Sequence, residues 1–329
     1  MAQVQSEARV GGEPAGFLGG PGAEPIVGRS PWELFWRRFR RDRLAFAGIV
    51  LIVLILFAAL FAPLIGKLVG HGPNQVFLRE MTDIFGLPKG PNGTFWFGAD
   101  RAGRDLFVRV MYGARTSLIV AFFATGMSLV IGVIVGLLAG YFRGKVDTFL
   151  SRTTDVVMSM PILLLAVGLV GACGASQGGC LYGLLRPGLF LVSFVIGLFN
   201  WPYIARIVRG QVLSLREKEF VESARAVGAG DLRIVRREIL PNVVAPIIVY
   251  TTLIIPNNIL FEAALSFLGL GVPSTTPSWG AMLADAGGRI FTVAWWMMLF
   301  PGLFLFMTTL AFNLVGDGLR DALDPRTGR

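Results

Sequence analysis

The sequence predicts an all-α, polytopic membrane protein with six transmembrane helices, and three observations carry that prediction. Of 329 residues, 54% are hydrophobic and 16% charged, whereas a soluble domain carries about 25% charged residues. Six apolar stretches come close to or exceed the ~20 residues needed to cross a bilayer. Among the short connections basic residues alternate, which fixes an orientation, while the long 66–113 segment, with Lys67, Arg79, Lys89, Arg101, Arg104 and Arg109, is of a length that obeys this rule poorly. The formal net charge of +9 therefore reads as loops held at the cytoplasmic face rather than as a nucleic-acid surface.

Residues 1–29 are rich in Gly, Ala, Pro and Glu without an apolar period. They cannot bury enough surface to order themselves and are expected to form a disordered cytoplasmic tail. Residues 30–43 read as an interfacial amphipathic helix. Ser30 is its cap, Pro31 suits the first turn and Glu33 closes a capping box. Trp32, Phe35, Trp36 and Phe39 share one face, with Arg37, Arg38, Arg40, Arg41 and Arg43 around them. A plain basic flank of the first span is the other reading.

The first span is 44–65, followed by a polar, Gly/Pro-rich external segment, 66–113. A five-helix core, 114–316, then holds spans at about 114–141, 151–172, 184–206, 242–269 and 294–316. Pro161 is expected to kink the third span. The 317–329 tail should be cytoplasmic. The loops at 173–183 and 270–293 contain only Arg289 between them, whereas the other short loops are basic. Both termini and the 207–241 loop are thus expected on the cytoplasmic side.

That loop holds the polar stretch Leu215–Pro241. Ser214-x-x-Glu217 reads as a capping box that starts a helix at 215. Phe220, Val221, Ala224 and Val227 make an apolar stripe at helical spacing. Gly228 can take the left-handed conformation that ends a helix. Asp231 then caps a second helix running toward Pro241. A bare solvated loop would need neither stripe nor caps.

At these residues a resemblance becomes specific. Glu222-Ser223-Ala224, Gly228 and Leu240-Pro241 resemble the EAA loop of bacterial ABC importer permeases, with Ser223 where Ala is usual and Glu238 where Ile is frequent. Phe97-Gly98-Ala99-Asp100-x-x-Gly103-Arg104-Asp105 with Tyr112-Gly113-Ala114-Arg115-x-Ser117-Leu118 resembles the signature before the second span of dipeptide/oligopeptide permeases. Glu262-Ala263-Ala264-Leu265-Ser266-Phe267-Leu268-Gly269-Leu270-Gly271, followed by Pro277-x-Trp279-Gly280, resembles the fifth span of the "C" member of that permease pair. The resemblance covers about residues 31–325.

The resemblance implies a type I ABC importer permease fold with a cytoplasmic coupling helix between the fourth and fifth spans. It implies that Glu219, Phe220, Glu222, Ser223, Ala224, Ala226, Gly228, Leu240 and Pro241 couple the chain to an ATPase. Implied partners are a second homologous permease completing a heterodimer, two ATPase subunits or one fused ATPase, an extracytoplasmic peptide-binding protein and membrane lipid. The implied cargo is di- or oligopeptides crossing the inner membrane. The same permease type also serves nickel, haem or glutathione, although a nickel route would call for more than the single His71.

The chain lacks a phosphate-binding GxxxxGK[ST] loop, so ATP and Mg²⁺ are expected in partner subunits and no cofactor in this chain. It shows no nucleophile–base set for an intramembrane enzyme. A membrane scaffold or receptor is the non-transport alternative. Asn257, Asn258 and Glu262 put polar groups along the fifth span. They either line a path or hold helices together. Asp100, Arg104 and Asp105 are either salt-linked structure or a contact for a delivering protein. Cys173 and Cys180 are too few for a disulfide scaffold or zinc site. They form either one external disulfide or two free thiols.

Overall fold

The computed structural model describes residues 31–175, 180, 188–273 and 275–323. The 1–29 tail, the Ser30 cap, much of the 173–183 loop and residues 324–329 lie outside the described residues. The described chain is helical, and only isolated bridges such as Val76–Arg104 and Ala99–Asp105 break the pattern. Among the described residues, five helices are long and apolar enough to cross a membrane, and a bent pair taken as one span makes six.

Helix α1 (Pro31–Arg41) lies against the C-terminal span, where Phe39 is buried with Ala45 and Ala322. Trp36 stays exposed, with the Arg40 guanidinium 5.0 Å from its ring centroid. Helix α2 (Arg43–Leu60) is capped by Asp42, whose carboxylate accepts from the Leu44 and Ala45 amides. It breaks at Phe61 and resumes as α3 (Ala62–Val69), with Pro63 in the first turn, where its missing N–H costs nothing. The helix long and apolar enough to span thus ends at Leu60, before the expected Ile65, and α3 carries the chain on to Val69. After the short α4 (Leu78–Met81), α5 runs from Leu106 to Phe142. It starts eight residues before the expected 114, because Asp105 caps it and Arg109 folds back to the Pro73 carbonyl at 2.9 Å. A charged side chain held in this way does not end a helix.

Helices α6 (Gly144–Ser159) and α7 (Ile162–Ala175) meet at 82° beside Pro161. Here Met160 is extended and the proline cannot continue the ladder of hydrogen bonds. Helix α8 (Leu189–Arg216) passes the expected end at 206 by ten residues. After α9 (Glu219–Ala226) and α10 (Asp231–Ile234), a π-helical turn (Val235–Ile239) leads into α11 (Leu240–Phe267). Helix α12 (Trp279–Asp285) is capped by Ser278. A 3₁₀ turn (Gly288–Thr292) then precedes α13 (Trp296–Leu323). The helix of the sixth span runs on through Asp317, Arg320 and Asp321 to Leu323, beyond the expected boundary at 316.

The bundle is centred on α5 against α8. Gly132, Gly136 and Gly140 of α5 form one stripe at four-residue spacing. A Cβ on Gly136 would stand 2.7 Å from the Ala205 carbonyl, and one on Gly140 2.7 Å from the Val212 Cβ. This close approach is how small residues drive helix association where lipid supplies no hydrophobic force.

At the end of the bundle away from α9, residues 70–105 fold into a cap. His71 Nδ1 lies 2.6 Å from the Asp105 carboxylate, and its ring packs in a three-ring cluster with Phe77 and Phe95. Cys173 and Cys180 at this end are joined by a disulfide. Closing so short a segment removes about 2.5 kcal/mol of unfolded-chain entropy. Alkylation of the intact protein without reductant should leave both cysteines unlabelled by mass spectrometry, and prior reduction should expose both.

Candidate functional site

The polar stretch between α8 and α11 folds into two short helices, α9 and α10, and a π turn. Helix α8 runs through Ser214 to Arg216, so Ser214 sits inside its last turn and caps nothing. The helix carrying Glu222 starts at Glu219, after an N-cap, Lys218, that makes no side-chain bond. The physical reason is that Glu217 is occupied elsewhere, paired with Arg143 at the end of α5. Helix α9 closes as a Schellman motif. Gly228 takes φ +80°, its amide donates to the Arg225 carbonyl and the Ala229 amide to the Ala224 carbonyl.

Asp231 is the first residue of α10 and Gly230 holds the cap position. The Asp231 carboxylate instead accepts from the Tyr141 hydroxyl at 2.6 Å. Nor does the second helix end at Pro241. In a regular helix the proline ring would clash with the carbonyl four residues back. The chain widens to a π turn over Val235–Ile239, the Leu240 amide donates to the Val235 carbonyl, and the helix runs on into the fifth span.

The apolar stripe divides by direction. Val221 is fully buried with Ile234, Ile239 and Val243, and Ala224 packs beside them. Phe220 is 38% exposed and Val227 86%. Glu219, Phe220, Glu222, Ser223, Ala226 and Gly228 therefore share an exposed surface, whereas Ala224 and Leu240 are half-buried behind it and Pro241 lies at the exposed start of α11. Tyr141 is the anchor that periodicity could not reveal. The guanidinium carbons of Arg216 and Arg225 lie 5.6 and 5.7 Å from its ring centroid, and Arg216 also donates to its carbonyl. The available signal was an aromatic residue followed by Arg143 at a span terminus.

Inside the bundle, Asn258 and Glu262 are fully buried and bind helices together. Asn258 donates to the Thr125 hydroxyl at 2.8 Å and accepts from Asn200 at 2.9 Å, joining α11 to α5 and α8. Glu262 is fully buried and accepts from Ser117 at 2.8 Å, from Ser266 at 2.7 Å and from Ser278. Asn257 is exposed and points into a groove of about 650 Å³ between α7, α8 and α11, lined also by Asn200. The three fifth-span residues thus belong to two places.

At the cap end, Asp100 accepts from the Arg104 side chain at 2.6 Å and from the Ala102 and Arg104 amides, and it lies 3.2 Å from Arg109. These residues are salt-linked structure. Burial and the neighbouring Asp100 push the Asp285 carboxyl above its ordinary range, against the pull of Arg104, Arg109 and Arg101. Trp279 donates to the Val110 carbonyl and Trp296 to the Ala99 carbonyl, each at 3.1 Å. Gly113 lies under Trp279, and Gly98 lies under Trp296. Gly98 and Gly113 are thus where tryptophans press on backbone.

A family model described as "Binding-protein-dependent transport system inner membrane component" matches residues 132–329. A second, "N-terminal TM domain of oligopeptide transport permease C", matches residues 30–81. A dipeptide transport system permease protein of Alkalihalophilus pseudofirmus is 39% identical, over 93% of both chains. A glutathione transport system permease protein of Escherichia coli is 41% identical over 93% of this chain and 94% of that one. A putative peptide transport system permease protein of Brucella abortus is 42% identical over 92% and 94%. Among solved structures, a chain of the MetNI methionine ABC transporter in an inward-facing conformation aligns with TM-score 0.53 and 19% identity, over 66% of this chain and 96% of that one. That likeness shows the fold.

Proposed function

Because the chain belongs to the family of binding-protein-dependent transport inner-membrane components, as a C-type permease of the peptide ABC-importer group, we propose that it carries di- or oligopeptides inward across the cell's inner membrane. It binds no cofactor and performs no chemistry. ATP and Mg²⁺ are bound by partner ATPases, either two subunits or one fused protein, and a second homologous permease completes the path. An extracytoplasmic binding protein delivers the cargo. The observation that carries this reading is the exposed face of α9, held by Tyr141 on one side and by Gly228 on the other. Both termini and α9 lie in the cytoplasm, in keeping with the basic loops at that end and a disulfide at the other.

In this reading, closure of the ATPases moves α9. The movement passes through Tyr141 to α5 and through the π turn to α11, and the spans rock between inward and outward access. Uptake of labelled di-, tri- and tetrapeptides by the assembled complex in proteoliposomes tests the reading. ATP-dependent accumulation is expected, and its absence for every peptide overturns it. Glutathione is the second reading, favoured by the 41% identical relative. Competition between glutathione and the peptides separates the two.

Gly228 gives a test of coupling alone. No atom lies within 4 Å of where its Cβ would be, so Gly228→Val meets no obstacle and pays only for its left-handed backbone, about 1–2 kcal/mol. The spans should melt as before while ATPase co-purification falls about tenfold. Gly228→Asn, which tolerates that conformation, should retain the ATPase. Equal retention in both variants would exclude the docking role.

A further inference from the structure

The groove between α7, α8 and α11 is lined by hydrocarbon and polar side chains together. Outward residues of α2 and α13, such as Val53, Phe57, Leu303 and Phe306, are hydrocarbon. The groove is walled by Ile162, Leu253, Ile254 and Phe261, yet four polar side chains open into it: Asn200, Tyr203, Tyr250 and Asn257. Asn200 is 92% buried and spends its amide group on Asn258. Asn257 spends its own on the Leu253 carbonyl. Among the described residues, nothing pairs with the two asparagine carbonyls or the two tyrosine hydroxyls. Asn200 lies eleven residues into α8, about 17 Å from that helix end and so near mid-depth of a ~30 Å hydrocarbon layer. Unpartnered polar groups at that depth cannot face lipid tails without cost. This face therefore looks onto something that can hydrogen-bond.

We propose that the groove holds the main chain of the passing peptide, a reading that rests on the peptide import argued above. Two carbonyl acceptors and two hydroxyls in an apolar wall suit the alternating N–H and C=O groups of an extended chain. No charged side chain lines the groove, so it does not select by cargo side-chain charge. Nor do the described residues hold any cluster of His, Cys, Asp or Glu that could bind a metal ion. Asn258 is a positioning residue. Its bond to Thr125 fixes the amide that turns the Asn200 carbonyl toward the groove.

The test uses the assembled complex in proteoliposomes with tritiated tri-alanine. Uptake by the unmodified complex is measured first. If no peptide is imported, the peptide reading itself falls, and this proposal with it. A benzophenone amino acid is then placed at position 203, 250 or 306. ATP-dependent crosslinking to tri-alanine is expected at 203 and 250 and not at 306, which faces lipid. Capture of only lipid or of a neighbouring subunit at both 203 and 250, while uptake persists, overturns the proposal. The double variant Tyr203→Phe with Tyr250→Phe should lower tri-alanine uptake about tenfold, with ATPase retention unchanged. Full uptake in that variant would also overturn it.

Discussion

Gly136→Leu should leave little folded protein, whereas Gly126→Leu on the same helix should be tolerated. A Cβ on Gly136 would already stand 2.7 Å from both the Ala205 carbonyl and the Val208 Cβ, while one on Gly126 meets no atom within 4 Å. Leucine would force α5 from α8 along the seam that centres the bundle. The obstacle is partly backbone and cannot change rotamer, so the cost should reach or pass the upper end of the overpacking range, about 3 kcal/mol. The separation would also strain the Asn200–Asn258–Thr125 chain of hydrogen bonds, which spans the same two helices. Size-exclusion profiles after graded heating in detergent provide the check. Identical profiles for the two variants would show that the seam does not set stability.

Glu262→Ala is expected to be the second severe change. The carboxylate is the shared acceptor for hydroxyls from α5, α11 and the α12 cap. Alanine strands Ser117, Ser266 and Ser278 in a dry interior and leaves a void, at a cost of about 3 kcal/mol. Glu262→Gln keeps one acceptor oxygen and should lose less. Since Glu262 is buried away from the groove, uptake per folded molecule should not change in the Gln variant. A large loss of uptake at full stability would instead place this acid on the transport path.

Long apolar runs made the spans and their order legible in the sequence, because hydropathy reports which solvent a segment meets. It says nothing about where a helix stops once it has left the bilayer. The first turns of α5, the last turns of α8 and the end of α13 were missed for that reason. Gly228 could be read because its requirement is local to the backbone. Ser214 was misread because a capping box has meaning only where a helix begins, and α8 had not ended. The π turn before Pro241 carries no signal in the hydrophobic period, and Ile239 and Val243 on either side of Pro241 are buried with Val221. Asn200, Thr125 and Tyr141 carry weight through partners 58, 133 and 90 residues away, distances that no spacing rule spans.

Helix α5 has 37 residues without a break, a rod of about 55 Å in a membrane about 40–45 Å thick. Its first turn is bound into the cap through Asp105 and Arg109, and its last turn to α10 through Tyr141. In the coupling proposed above, it would work as a lever with one arm in the cap and the other at α9. Any ligand that favours one tilt from the cap side changes the affinity of whatever grips α9, and linkage makes the effect of the second on the first equal in free energy.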